Sequence, residues 1–195
     1  MQLKHFKSAD FENFERIFRA NLIGTISDAG QPNLAIFSSV IHLGANPALL
    51  GFIQRPVGAE SHTYKNILET GYFTISHVQE SFVAQAHQSS ARYPRDISEF
   101  DACQLTPEYL DGFRPPYVGE SQVKIGLRFM QEVPITLNNT ILVIGQIKHL
   151  YVPENLLHPE GNILLDALGD VCISGLDTYY AVSKLLQLPY AKAPE

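Results

Sequence analysis

Between Arg55 and Thr63 the chain brings together a guanidinium, two hydroxyls and the start of a predicted helix, a combination that can hold an anion. Arg55 closes a predicted strand, Pro56 to Glu60 forms a short loop, and Ser61, His62 and Thr63 open the helix. The first turn of a helix carries backbone N–H groups without intrahelical partners, and the dipole makes that end positive. Phosphate is accepted there, and an arginine fork adds two parallel donors. A phosphomonoester would suit such a place. A plainer reading needs no ligand: Ser61 or Thr63 only caps its helix, and Arg55 is only solvated. The second polar feature is Phe37-Ser38-Ser39 in an otherwise apolar strand. Neighbouring strand residues face opposite sides, so one of the two hydroxyls points inward and wants a partner. A backbone group of an adjacent segment could be that partner.

No familiar catalytic constellation accompanies these features. The chain has no G-x-S-x-G, H-E-x-x-H, C-x-x-C or P-loop lysine, and no G-x-G-x-x-G opens a helix. Seven histidines invite a metal reading, with His62, His77 and His87 the nearest group. Their spacing fits no metal site, and structural or surface roles are expected. Cys103 and Cys172 stand far apart and read as two reduced thiols of a cytoplasmic protein. A net charge of −6, from 20 acidic and 14 basic groups without a long basic run, argues against a nucleic-acid partner. No apolar stretch approaches the roughly 18 residues of a membrane-spanning helix. Met1 to Phe11 lacks the apolar core of a signal peptide. With 45% hydrophobic and 17% charged residues over 195 positions, the composition is that of one globular domain, 1–195.

The elements that must position these residues follow from periodicity. Asp10–Phe18 has helical spacing, with Asp10 as N-cap. Leu22–Ser27, Leu34–Ile41 and Ala48–Ile53 read as three strands joined by turns at Asp28–Asn33 and Asn46-Pro47. Ser61–Thr70 is a helix closed by Gly71, Tyr72–Ser76 a strand, and Ser81–His87 a short helix. Ser89–Pro116, with four prolines, reads as a long loop, which in a compact domain is usually functional. Val123–Phe129 alternates like a half-wet strand, and Thr140–His149 is a more apolar, central one. A helical turn at Ile163–Leu168, a strand at Asp170–Ser174 and a helical tail after Asp177 complete the reading. The sum is a mainly β chain with accessory helices, an antiparallel meander or barrel.

The order of several motifs resembles the flavin-reductase-like family, whose fold is an FMN-binding split β-barrel. The resemblance rests on Asn33–Ser39, Pro47–Phe52, Arg55, His62–Ile67 and Glu69–Ile75, and then on Ser98–Asp101, Pro116–Ser121 and Val143–Ile147. It implies that Phe37, Ser38 and Ser39 touch the flavin ring and ribityl chain. It implies that Arg55, Ser61, His62 and Thr63 hold the phosphate, with Lys65 or Asn66 in support. Ser98, Glu99 and Phe100 would lie near the ring, from a second subunit of a homodimer. Gly126 stands where the family pattern suggests a polar or cysteine residue. The activity implied is NAD(P)H-dependent flavin reduction, with NADH or NADPH as transient donor. The alternatives are an FMN-binding protein without that turnover and a pyridoxamine-phosphate-oxidase-like enzyme. A triad is not required, because the two cofactors carry the hydride chemistry.

Overall fold

A computed structural model describes residues 3–6, 20–58, 61–158 and 161–193. The helix expected at Asp10–Phe18 lies outside these residues. After β1 (Leu3–Phe6), strands β2 (Asn21–Ile26) and β3 (Pro32–Phe37) form a hairpin whose turn is closed by Gly30 N–H donating to the Ser27 carbonyl. Gly30 adopts φ +89°, which glycine reaches without steric cost. The single strand expected over Leu34–Ile41 is broken. β3 ends at Phe37 and β4 (Ile41–Ala45) begins after Ser38–Val40. At the break the Ser39 hydroxyl accepts from Ile53 N–H (3.1 Å) and donates to Ile53 C=O (3.3 Å), replacing a ladder pair with a side-chain clasp. Ile53 belongs to β5 (Ala48–Gln54), which pairs with β4.

Helix α1 (His62–Thr70) follows, and Gly71 ends it in the left-handed conformation expected of a helix stop. Then come β6 (Tyr72–His77), α2 (Val83–Gln88), α3 (Glu99–Ala102), the short β7 (Pro107–Glu108) and β8 (Tyr117–Val118), and the long β9 (Lys124–Ile135) and β10 (Thr140–Pro153). The chain closes with α4 (Leu165–Leu168), β11 (Val171–Ser174) and β12 (Thr178–Ala181). The main sheet runs β3-β2-β6-β9-β10-β5-β4, with antiparallel neighbours throughout and β1 on β10. β10 meets β5 along its first half and β1 along its last residues. Register shifts beside Gly145 and His149 bend it, as bulges do when a sheet curls.

Alternation along the strands sorts the two faces. Phe52, Phe73, Ile125, Leu127, Val143 and Ile147 point into the barrel with Tyr64 and Ile67 of α1, and all are buried. A second core lies outside the barrel, where Leu22 and Leu34 meet Phe82, Ala86 and Phe100. The stretch Ser89–Pro116 is mostly loop, as expected, interrupted by the short α3 and β7, with Phe100, Cys103 and Leu105 in that second core. One expectation fails here. The tail after Asp177 is not helical. Thr178–Ala181 pairs with β11, and no regular structure follows up to residue 193. Strand pairing suits Thr178, Tyr179 and Tyr180, residues favoured on a pleated surface, and it outweighs the helical spacing of the apolar positions.

Candidate functional site

Three segments carry the expected site residues: the exit of β3, the end of β5 and the start of α1. The Ser39–Ile53 clasp holds the exit of β3 against the end of β5, two residues before Arg55. Phe37 packs edge-on against Phe52 at 4.9 Å between ring centroids, tying the same two segments on the core side. Asn33 of β3 donates to the Thr63 hydroxyl at 3.0 Å and so draws in the start of α1. Ser38 thus lies beside the end of β5, and Arg55, Ser61 and His62 follow along the connection into α1; Ser38 and Arg55 are exposed, Ser61 and His62 half-buried. Gly58 N–H donates to Ser61 Oγ at 3.0 Å, and Ser61 C=O accepts from Lys65 N–H at 3.1 Å as the first bond of the helix. The Ser61 side chain makes no cap to its own helix, which leaves the first-turn amides uncapped by it. An exposed cation on the connection into a helix whose N-cap side chain does not cap it is chemically suited to a phosphate.

Other expected site residues are committed elsewhere. The Ser39 hydroxyl is engaged by both polar groups of Ile53, which is the backbone partner its position in the strand called for. The side chains of Thr63 and Asn66 turn inward and are buried against β2 and β3. Thr63 thus offers the site its backbone rather than its hydroxyl. Ser98 is buried on entering α3, and Glu99 accepts from Leu34 N–H at 2.9 Å along the free edge of β3. Burial pushes the Glu99 carboxyl up from its ordinary value, and the hydrogen bond from Leu34 partly opposes this. Phe100 is 1% exposed in its own chain's core. Within its own chain Glu99 thus seals a strand edge and Phe100 fills a core. Lys65 is half-buried on α1.

Among the described residues no histidines gather into a group that could hold a metal. His77 Nδ1 lies 2.6 Å from Asp170 Oδ2, both fully buried, while His87 meets Tyr179 edge-on at 5.8 Å. Gly126 has a steric reason. A Cβ there would collide with the Tyr117 hydroxyl and stand 3.2 Å from two carbons of the Phe113 ring, so the place of a larger residue is already filled. Thr25 and Asn33 are not among the site residues expected from the sequence. They face each other across the β2–β3 pair and both are buried, and a polar cross-strand pair in two apolar strands was the available signal.

Comparison with known proteins settles the family. The model of the flavin reductase like domain matches residues 17–173. The chain belongs to that family. A split-barrel protein of Shewanella frigidimarina assigned to the flavin reductases is 48% identical to this flavin reductase-like chain, with a TM-score of 0.86 over 93% of this chain and 91% of that one. Component B of nitrilotriacetate monooxygenase from Bacillus cereus, 24% identical, covers 94% of both chains at a TM-score of 0.78, which speaks to the fold. An uncharacterized protein of Halalkalibacterium halodurans is 29% identical over 155 residues, 76% of this chain and 74% of its own. The barrel described above is thus the split barrel of the family. Among the described residues no helix is long and apolar enough to cross a membrane.

Proposed function

We propose that this flavin reductase-like chain holds FMN through Ser38, Arg55 and the first turn of α1, and reduces flavin with NADH or NADPH. What carries the reading is an exposed Arg55 on the short connection into α1, whose N-cap side chain makes no cap, in a family whose name is flavin reduction. Bound there, the isoalloxazine supplies the hydride acceptor. The chain's own residues bind and orient. Arg55 and the first turn of α1 hold the phosphate, the Ser38 hydroxyl faces the ribityl chain or ring, and Phe37 packs on Phe52 as an apolar wall. The residues present fit that group: the donors are a cation, amides and a hydroxyl.

A homodimer belongs to the same proposal. Register places Leu49, Ile53, Leu142 and Ile144 on the outer face of the sheet, where they are half-buried, beside the more exposed Ile41, Leu43 and Val133. A contiguous apolar face of this kind is the mark of an association surface. It adjoins the candidate site through Ile53, and a second copy is its proposed occupant. The two free cysteines accord with a reducing compartment, the cytoplasm. Anaerobic mixing of the FMN-loaded protein with NADH or NADPH should bleach the flavin absorption within minutes. Flavin that stays oxidised with both donors yet is reduced by dithionite would overturn the reductase reading. Sedimentation should give about twice the 21.7 kDa chain mass, and a monomer at micromolar concentration would overturn the dimer.

A further inference from the structure

Beneath the first two turns of α1 lies a polar cluster inside an otherwise apolar interface. Thr25 of β2 and Asn33 of β3 stand opposite each other in the ladder and face the helix. Asn33 Nδ2 donates to Thr25 Oγ1 at 3.1 Å and to Thr63 Oγ1 at 3.0 Å, which uses both of its amide hydrogens. Asn66 Nδ2 donates to Thr25 Oγ1 at 3.2 Å. Thr25 Oγ1 therefore accepts twice, and all four side chains are at most 7% exposed. Burying four polar side chains costs stability that apolar residues of the same shape would not. What they add is direction. Tyr64 and Ile67, the apolar anchors of α1, would tolerate a small slide or rotation on the sheet, whereas hydrogen bonds fix donors and acceptors to within a few tenths of an ångström.

We infer that Thr25 and Asn33 are positioning residues: through Thr63 and Asn66 they fix where the first turn of α1 points, and thereby set the affinity of the phosphate site. The inference rests on the proposed FMN reading. Thr63 is the link, because its side chain is held from below while its backbone lies in the turn that would face the anion. A displaced turn aims its amides and Arg55 at different points, and the gain of pre-organisation is lost.

The test uses the full chain and two ligands that differ only in the phosphate. Thr25→Val keeps the shape and removes the shared acceptor. It should weaken FMN about tenfold while changing riboflavin less than about twofold, the loss of about one well-made hydrogen bond to charge. Thr25→Ser, which restores the hydroxyl, should recover wild-type FMN binding. Hydrogen exchange on the ligand-free protein supplies a readout independent of flavin: the amides of Lys65 to Ile67 should exchange faster in Thr25→Val, with the central strands β9 and β10 unchanged. Should Thr25→Val fail to fold, Asn33→Leu removes both donors and carries the same two measurements. A folded variant with the wild-type FMN-to-riboflavin ratio and wild-type exchange in α1 overturns the inference. A wild-type protein that does not distinguish FMN from riboflavin overturns the phosphate reading instead, and the exchange data then decide the positioning alone.

Discussion

Gly126→Ala is expected to destabilise this protein, although replacing a strand glycine with alanine ordinarily does the opposite. Removing glycine's backbone freedom is worth about 0.5–1 kcal/mol in favour of the variant. Against it stands the space. The new methyl would overlap the Tyr117 hydroxyl and lie 3.2 Å from Phe113 Cε1 and Cζ. Neither ring can swing aside, since Tyr117 is 0% and Phe113 8% exposed, and Tyr117 packs on Phe113 and Tyr151 at 5.8 and 5.5 Å. The segment from Phe113 to Val118 must lift off β9 or the strand must yield, and overpacking of this kind costs about 1–3 kcal/mol. The balance is a loss of about 0.5–2 kcal/mol. For a chain of this size each kcal/mol moves the melting point by about 2–4 °C, so calorimetry should show a fall of about 1–8 °C. Gly126→Val should fall further. Adding Tyr117→Phe to Gly126→Ala removes the atom met first and should return part of the loss, a coupling that a double-mutant cycle measures. A Gly126→Ala protein that melts at or above the wild-type temperature would refute the steric argument.

Two further changes probe the frame around the site. Glu99→Gln keeps the acceptor for Leu34 N–H and removes the charge. Because the folded carboxyl is raised above its ordinary value of 4.5, its contribution to stability is fullest below that pH and is lost as pH rises through the folded value. The stability of Glu99→Gln relative to wild type should therefore grow from pH 4 to 7 in urea denaturation, and a difference that does not change with pH would count against burial as the cause. Asp170→Ala takes the acceptor from both His77 Nδ1 and Gln79 Nε2 in the buried clasp that fastens the start of β11 to the end of β6. At about 1–3 kcal/mol for each donor left unsatisfied, a loss of about 2–6 kcal/mol is expected, and a urea midpoint within error of wild type would contradict it.

The sequence made the barrel legible where one force dominated. Alternation in β9 and apolar density in β10 located the central strands, and Gly71 marked the end of α1, because burial and a left-handed helix stop act locally. It misled where two forces competed. Ser39 sat in an apolar run that looked like one strand, but its hydroxyl bonds Ile53, fourteen residues away in sequence, and the run is broken there. Tyr179, Val182, Leu185 and Leu186 have helical spacing, yet the first joined a strand, and Leu185 is 91% exposed with nothing for a helical face to cover. At the proposed site, the exposure of Arg55 and the start of α1 were legible because charge and helix polarity are written in the residues themselves. The inward turn of Thr63 and Asn66 was not, since it depends on Thr25 and Asn33 meeting them from another part of the chain.

The central claim is that Arg55 and the start of α1 hold the phosphate of a flavin nucleotide. Titration of the ligand-free protein with FMN and with riboflavin, for wild type and Arg55→Ala, tests it most directly. A charge-assisted hydrogen bond is worth about 1.5–3 kcal/mol, so Arg55→Ala should weaken FMN about ten- to a hundredfold and leave riboflavin nearly unchanged. Equal losses for the two ligands, or no loss for FMN, would remove Arg55 from the phosphate and contradict the account.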